Sequence, residues 1–162
     1  MKLALIGYGR MGQEIERIAL SRGHEIVLTI DVNNLEDFTP ENIQKAQVAI
    51  AFTIPESAVE IFKRCFDNGV PVVSGTTGWL DKWDEVVKYC NNKKSTFFYS
   101  SNFSLGMNIF FELNRKLAGY MKPFSQYKAS LKEVHHTRKL DSPSGTAISL
   151  AEDLIKESGF NC

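Results

Sequence analysis

Apolar runs of strand length alternate with helical patterns from the first residue of this 162-residue chain. This alternation is typical of βαβ units, in which parallel strands form a central sheet and the connecting helices cover its faces. We therefore predict an α/β, doubly wound parallel sheet. The predicted strands are 2–6, 25–30, 48–52, 71–74 and 96–99, and the predicted helices are 10–21, 56–67 and 79–91.

The pattern changes after the fifth predicted strand. A helix is predicted over 105–121, a strand over 127–134 and a last helix over 147–157. We expect a first domain over residues 1–103 and the first part of a second domain over 104–162.

Composition and charge narrow the classes of function. Nineteen Lys and Arg residues balance nineteen Asp and Glu residues, so no global field favours nucleic acid or an anionic membrane. The three cysteines lack the spacing of a zinc site, and Cys65 and Cys90 are expected to be buried apolar fillers. The apolar run at the N-terminus is too short for a membrane span. We expect a cytoplasmic protein with a small-molecule partner and no metal.

A GxGxxG motif follows the first predicted strand and opens the first predicted helix. Its glycines permit a tight turn, close approach of a pyrophosphate and close packing of helix on strand, while the helix start attracts phosphates. Asp31 ends the second strand, where a carboxylate can accept hydrogen bonds from an adenosine ribose. A structural glycine turn is the alternative. We predict a Rossmann domain that binds NAD through Gly7, Tyr8, Gly9, Arg10, Met11, Gly12 and Asp31.

Polar loops follow the later predicted strands, at 52–55, 75–78 and 100–103. In a doubly wound sheet, ligands bind beyond the carboxyl ends of the strands. Any one such loop could merely form a turn or cap a helix, but their joint position favours a nicotinamide site. The predicted cofactor residues there are Gly75, Thr76, Thr77, Ser100, Ser101, Asn102 and Phe103.

The segment 133–147 places two histidines, an arginine and a lysine after a predicted strand and before a Pro-Ser-Gly-Thr turn. The helix start at Gly145 and Thr146 can hold a carboxylate through N–H groups and a hydroxyl, and Lys139 or His136 can pair with it. A solvated histidine pair is the alternative. The segment predicts a site for a small dianion.

The string His-His-x-x-Lys-x-Asp-x-Pro-Ser-Gly-Thr-Ala, after GxGxxG, Gly-Thr-Thr-Gly and Asn-Phe-Ser, resembles the dihydrodipicolinate reductase family over about residues 5–154. The resemblance implies a Rossmann domain joined to an α+β substrate domain, usually in a homotetramer. It implies reduction of 4-hydroxy-tetrahydrodipicolinate in lysine and diaminopimelate biosynthesis. By the same resemblance, His135 corresponds to the proton donor, Lys139 to its catalytic partner, and His136, Gly145 and Thr146 to groups that bind the substrate carboxylates.

Two features depart from that family pattern. Family members usually continue for about half as long again, so we expect this chain to be a fragment. Val32 and Asn33 follow Asp31 where many members carry an arginine, which favours NADH, with NADPH possible. Two rival functions are another two-domain Rossmann dehydrogenase acting on an amino acid, such as aspartate or homoserine, and a non-catalytic dinucleotide-binding module. The amino-acid dehydrogenase would not need the histidine pair beside the Ser-Gly-Thr turn.

Overall fold

The computed structural model describes residues 1–135 and 143–159 of the chain. It divides into two compact units, Met1–Ser100 and Ser101–Cys162. Within the described residues, no helix combines the length and the apolar character that a membrane crossing requires.

The first unit is built around a five-stranded parallel sheet with the order β2-β1-β3-β4-β5. The second strand lies on one side of β1 and the third strand lies on the other side. The strand order therefore reverses between β1 and β3, which makes this position a topological switch point. This architecture confirms the predicted fold class. The strands are β1 (Lys2–Ile6), β2 (Glu25–Ile30), β3 (Val48–Ala51), β4 (Val72–Ser74) and β5 (Phe97–Tyr99).

Four α-helices and two short 3-10 helices connect the strands. Two of these elements were not predicted, the 3-10 helix Leu35–Asp37 and the four-residue α2, in which the Thr39 hydroxyl caps the helix by accepting the Asn42 N–H. The predicted helix 79–91 begins later, because Trp79 is buried and a 3-10 turn follows it. The helices are α1 (Arg10–Ser21), α2 (Pro40–Ile43), α3 (Pro55–Asp67) and α4 (Trp83–Asn92), with 3-10 helices at Leu35–Asp37 and Leu80–Lys82.

Small side chains in the central strands and large ones on the helices form the core of this unit. Ala4, Ala49 and Ala51 are fully buried, so the helices can approach the sheet closely, and aromatic rings fill the space beside β4 and β5. Cys65 and Cys90 lie in this core, as predicted. Burial raises the pKa of the Cys65 thiol to about 12.

The second unit contains α5 (Leu105–Met121) and α6 (Gly145–Ser158), which pack against each other. The side-chain amide of Asn114 donates to the Leu150 carbonyl at 3.1 Å, and Arg115 forms an ion pair with Asp153 at 3.3 Å. Serine hydroxyls cap both helix starts. Four apolar side chains spaced four residues apart on α5 remain exposed: Leu105, Ile109, Leu113 and Leu117.

The predicted strand 127–134 is wrong for this structure, in which these residues adopt no regular secondary structure. A β-strand needs a neighbouring backbone to satisfy its N–H and C=O groups, and even a single hairpin is marginally stable. The described residues of the second unit supply no such neighbour for this segment. Apolar and polar alternation in the sequence therefore did not suffice to form a strand here.

Candidate functional site

Three loops of the first unit line a cavity of about 430 Å³. They follow β1, β3 and β4, so the cavity lies beyond the carboxyl ends of these strands and includes the switch point between β1 and β3. The sequence predicted ligand binding at this end of the sheet. The lining residues are Gly9, Arg10, Met11, Gly12, Phe52, Thr53, Gly75, Thr76 and Thr77.

The three glycines of the GxGxxG motif differ in what surrounds them. Gly7 has φ +93°, and a Cβ there would lie 2.0 Å from the Phe52 carbonyl oxygen. A Cβ on Gly12 would lie 2.4 Å from the Gly7 carbonyl oxygen, whereas one on Gly9 would meet no atom within 4 Å. Gly7 and Gly12 are therefore required by the protein's own packing. Gly9 instead leaves open space at the cavity.

The start of α1 presents free N–H groups and positive charge beside the cavity. Gly9 is its N-cap and supplies no side-chain cap, and the first turn holds no acidic residue. The side chain of Arg10 makes no hydrogen bond or ion pair with any other described residue. This arrangement fits a pyrophosphate, because the helix dipole and the unpaired N–H groups both favour an anion.

The side chain of Tyr8 points its hydroxyl at α1, where it donates a hydrogen bond to the Glu16 carboxylate. That bond raises the pKa of Tyr8 above its ordinary value. A Cβ on Gly12 would also lie 3.4 Å from the Tyr8 ring. Tyr8 therefore links the glycine loop to α1 through this hydrogen bond.

Asp31 lies just beyond β2, next to the glycine loop, since the Gly7 N–H donates to the Ile30 carbonyl at 2.8 Å. One oxygen of its carboxylate accepts the Asn33 N–H at 2.6 Å, and the Asn34 side chain accepts the Asp31 N–H at 2.8 Å. The second carboxylate oxygen has no hydrogen bond to the parts of the chain that the structure describes. Asp31 is thus held in a turn with one acceptor oxygen available.

Thr76 joins the loops that follow β3 and β4. Its hydroxyl oxygen accepts the Thr53 N–H at 2.9 Å, and its carbonyl accepts the indole N–H of buried Trp79 at 2.7 Å. A Cβ on Gly75 would lie 2.1 Å from the Phe52 ring. Gly75 and the Thr76 side chain thus shape the cavity wall, while Thr77 is exposed beside it.

The predicted cofactor loop 100–103 crosses the boundary between the two units. In the first unit, the Ser100 N–H donates to the Ser74 carbonyl at 3.2 Å. In the second unit, the side-chain oxygen of Asn102 accepts the Ser104 N–H at 2.8 Å. The backbone carbonyl of Asn102 accepts a hydrogen bond from the side-chain amide of Asn108 at 2.9 Å. Asn102 therefore organises the start of α5, and Ser101 and Phe103 beside it are exposed.

The second unit places two predicted substrate residues at the start of α6. Ser144 caps the helix, its hydroxyl accepting the Ala147 N–H at 3.1 Å. Gly145 and Thr146 form the first turn, and their N–H groups make no hydrogen bond to other described residues. This helix start has the donors that a carboxylate requires.

No role was assigned from the sequence to one residue at this site, Glu133. Glu133 accepts the Ser144 N–H at 2.9 Å and the Ser144 hydroxyl at 2.6 Å, and it lies 3.5 Å from Nδ1 of exposed His135. The signal was a carboxylate two residues before the histidine pair, to which no role was given. His136 and Lys139 lie outside the described residues.

Among residues 1–135 and 143–159, no group of three or more His, Cys, Asp or Glu side chains lies close enough together to hold a metal ion.

Two models of one protein family match this chain, one in each part of it. The family profile described as dihydrodipicolinate reductase, N-terminus, matches residues 1–103, and the profile described as dihydrodipicolinate reductase, C-terminus, matches residues 106–160. The chain is 48% identical over 158 residues to the 4-hydroxy-tetrahydrodipicolinate reductase of Christiangramia forsetii, covering 98% of this chain and 65% of that relative. It is 38% identical to the enzyme of the same name from Bdellovibrio bacteriovorus, covering 96% and 66%.

A solved structure shares the fold. Dipicolinate-bound dihydrodipicolinate reductase from Paenisporosarcina sp. TG-14 superposes with a TM-score of 0.70 at 23% identity, covering 98% of this chain and 66% of that one. The chain spans about 65% of the length of the curated relatives it matches. The profile matches and the identity to these relatives confirm the resemblance predicted from the sequence motifs. The chain belongs to the dihydrodipicolinate reductase family.

Proposed function

We propose that the protein carrying this chain catalyses the NAD(P)H-dependent reduction of 4-hydroxy-tetrahydrodipicolinate to tetrahydrodipicolinate, with the 4-hydroxyl group leaving as water, in lysine and diaminopimelate biosynthesis. The observation that carries the proposal is the 48% identity over 98% of the chain to a relative named for this substrate. The cavity beside the glycine loop supports it independently, since a reductase of this kind needs a dinucleotide site.

The cavity residues fit a nicotinamide dinucleotide. The open space at Gly9 and the uncapped start of α1 suit its pyrophosphate, and the available oxygen of Asp31 suits its adenosine ribose. The exposed Thr77 and the remaining loop residues 75–76 and 100–103 are assigned to the nicotinamide end. When bound, the cofactor supplies a hydride, and the protein supplies placement and charge.

The residues around His135 are assigned to the substrate and its proton. Reduction of a conjugated imine leaves a basic carbon that must receive a proton, and an imidazole suits that transfer near neutral pH. We assign the proton to His135 and the stabilisation of developing negative charge to Lys139. We assign the binding of the two substrate carboxylates to His136 and to the start of α6, where the N–H groups of Gly145 and Thr146 and the Thr146 hydroxyl can donate hydrogen bonds.

Cofactor preference, assembly and location complete the proposal. Asp31 is followed by Val32 and Asn33, so a 2′-phosphate would face a carboxylate without an adjacent cation, which favours NADH over NADPH. We further propose a homo-oligomer, a tetramer as the family resemblance implies, working in the cytoplasm.

The decisive experiment is an NADH oxidation assay on the whole protein with freshly generated substrate. Substrate-dependent loss of absorbance at the NADH wavelength is expected. NADH oxidation with aspartate semialdehyde instead, or NAD⁺ reduction with homoserine or aspartate, would favour an amino-acid dehydrogenase. Cofactor binding without turnover on any of these compounds would favour a non-catalytic binding module.

A further inference from the structure

The Glu133 carboxylate contacts two groups that the proposed function assigns to different tasks. Both of its oxygens accept hydrogen bonds from Ser144, at 2.9 Å from the backbone N–H and 2.6 Å from the hydroxyl. The oxygen that accepts the hydroxyl also lies 3.5 Å from Nδ1 of His135. One charged side chain therefore touches both the start of α6 and the assigned proton donor.

The contact with Ser144 fixes the first turn of α6. Ser144 is buried, with 4% of its surface exposed, and it donates its hydroxyl proton to Glu133 while accepting the Ala147 N–H at 3.1 Å. Hydrogen bonds to a charged acceptor are about twice as strong as neutral ones and restrict the geometry of both partners. The carboxylate engages the Ser144 N–H and leaves those of Gly145 and Thr146 for a ligand.

The same carboxylate faces one nitrogen of the His135 ring. A carboxylate near Nδ1 favours a proton on that nitrogen and leaves Nε2 on the opposite side of the imidazole. A carboxylate that accepts a hydrogen bond from one nitrogen of a histidine fixes the tautomer and direction of the ring, and Glu133 lies where it can accept such a bond from His135. The exposed His135 ring would otherwise sample several rotamers.

We propose that Glu133 is a positioning residue, which holds the carboxylate-binding start of α6 through Ser144 and the imidazole of His135 in one fixed arrangement. The inference rests on the proposed reductase function, since it assigns a task to both groups. It goes beyond that function by making substrate binding and proton delivery depend on the same side chain.

The test compares three variants of the whole protein in steady-state kinetics. Glu133→Gln keeps the size of the side chain but loses the charge and one of its acceptor oxygens, so KM should rise and kcat should fall, each by about tenfold. Ser144→Ala removes only the contact with α6, so it should raise KM and leave kcat within about twofold. Glu112→Gln, a carboxylate paired with Arg115 on α5, is the matched control and should change neither constant.

Hydrogen exchange provides a readout that does not depend on turnover. The Ala147 amide should exchange slowly in the wild type and clearly faster in Glu133→Gln and in Ser144→Ala. Circular dichroism shows whether each variant keeps its helices.

The outcomes separate the inference from the proposed function. A kcat loss in Glu133→Gln without a KM change would show that Glu133 acts through His135 alone, and it would overturn the shared role with the start of α6. A lower KM would do the same, because it would mean that the Glu133 charge repels the dianion. Constants within twofold of wild type, with unchanged Ala147 exchange, would also overturn it. A wild-type protein that does not reduce the substrate would instead overturn the proposed function, and unaltered Ala147 exchange in Glu133→Gln would still contradict the link to α6.

Discussion

The hydroxyl of Thr76 accepts the backbone N–H of Thr53 at 2.9 Å, although the two residues are 23 positions apart. Thr76 is 3% exposed and Thr53 is half-buried, so this bond is partly shielded from water. It connects the loops after β3 and β4, and both loops line the cavity. The wall of the proposed cofactor site therefore depends on a hydrogen bond within the protein itself.

Replacing Thr76 with Val should destabilise the first unit by about 1–3 kcal/mol, because the partly buried Thr53 N–H would lose its acceptor. Valine keeps the shape of the side chain, so a packing defect does not explain the loss. Urea unfolding followed by circular dichroism measures the effect. Thr96→Val, at an exposed position before β5, is the control and should change stability by less than about 0.5 kcal/mol. Equal stabilities of the two variants would show that the Thr53–Thr76 bond contributes little.

The glycines of the loop should separate folding from binding. Gly9→Ala should cost no more than about 1 kcal/mol of stability, because its Cβ meets no protein atom, yet it should weaken cofactor binding at least tenfold by filling the open space. Gly12→Ala should instead destabilise the unit by about 1–3 kcal/mol, since its Cβ would lie 2.4 Å from a backbone oxygen. Thermal melts with and without NADH distinguish the two. Tight NADH binding by Gly9→Ala would argue against a pyrophosphate at this glycine.

Cofactor titrations by fluorescence at one ionic strength should show NADH preferred, or both cofactors used without a large preference for NADPH. A 2′-phosphate would meet the Asp31 carboxylate, and the two residues that follow it, Val32 and Asn33, carry no positive charge. Asp31→Asn should shift the affinity ratio towards NADPH, whereas Glu36→Gln, an exposed carboxylate five residues on, should leave it unchanged. Binding of NADPH more than about tenfold tighter than NADH, a difference of 1.4 kcal/mol, would contradict the preference.

The core thiols should resist modification in the folded protein. Burial raises the pKa of Cys65 to about 12 and also raises that of Cys90, while the thiolate is the reactive form. With Cys162 replaced by Ser, a thiol reagent at pH 8 should label neither residue until denaturant is added. Because the folded pKa of Cys65 lies above its unfolded value, its contribution to stability is present below about pH 8.5 and declines as pH rises towards 12. Rapid labelling of the native protein would show that the core opens readily.

The sequence predicted the elements whose signals are local. The bounds of β1, β2, α1 and α5 match the prediction, because glycine turns and capping residues mark them. The strand 127–134 failed because a strand depends on a partner backbone that its own residues do not encode.

Contacts between distant positions explain what the sequence could not predict at the site. The loops at the carboxyl ends of β1, β3 and β4 were predicted to bind a ligand, and they line one cavity. The bonds from Thr53 to Thr76 and from Ser144 to Glu133 join residues 23 and 11 positions apart, which no motif encodes. Such bonds follow only from the folded backbone.

The final prediction separates catalysis from substrate binding. A proton donor acts only as charge develops, so His135→Ala should lower kcat by about 10²- to 10⁴-fold with little change in KM. A carboxylate-binding group holds substrate and transition state about equally, so His136→Ala and Thr146→Ala should chiefly raise KM. Lys139→Ala should affect both constants, because its charge serves both states.

Steady-state kinetics of these four variants in the whole protein measure the two constants, with circular dichroism to exclude unfolding. The first turn of α6 supports the division, since the N–H groups of Gly145 and Thr146 are directed by the helix whether or not charge develops on the substrate. His135 lies outside the helix, and its Nδ1 is 3.5 Å from the Glu133 carboxylate, which we propose holds the ring for proton transfer. Near-normal kcat in His135→Ala would remove it as the proton donor, and the proton would then have to come from Lys139 or from water.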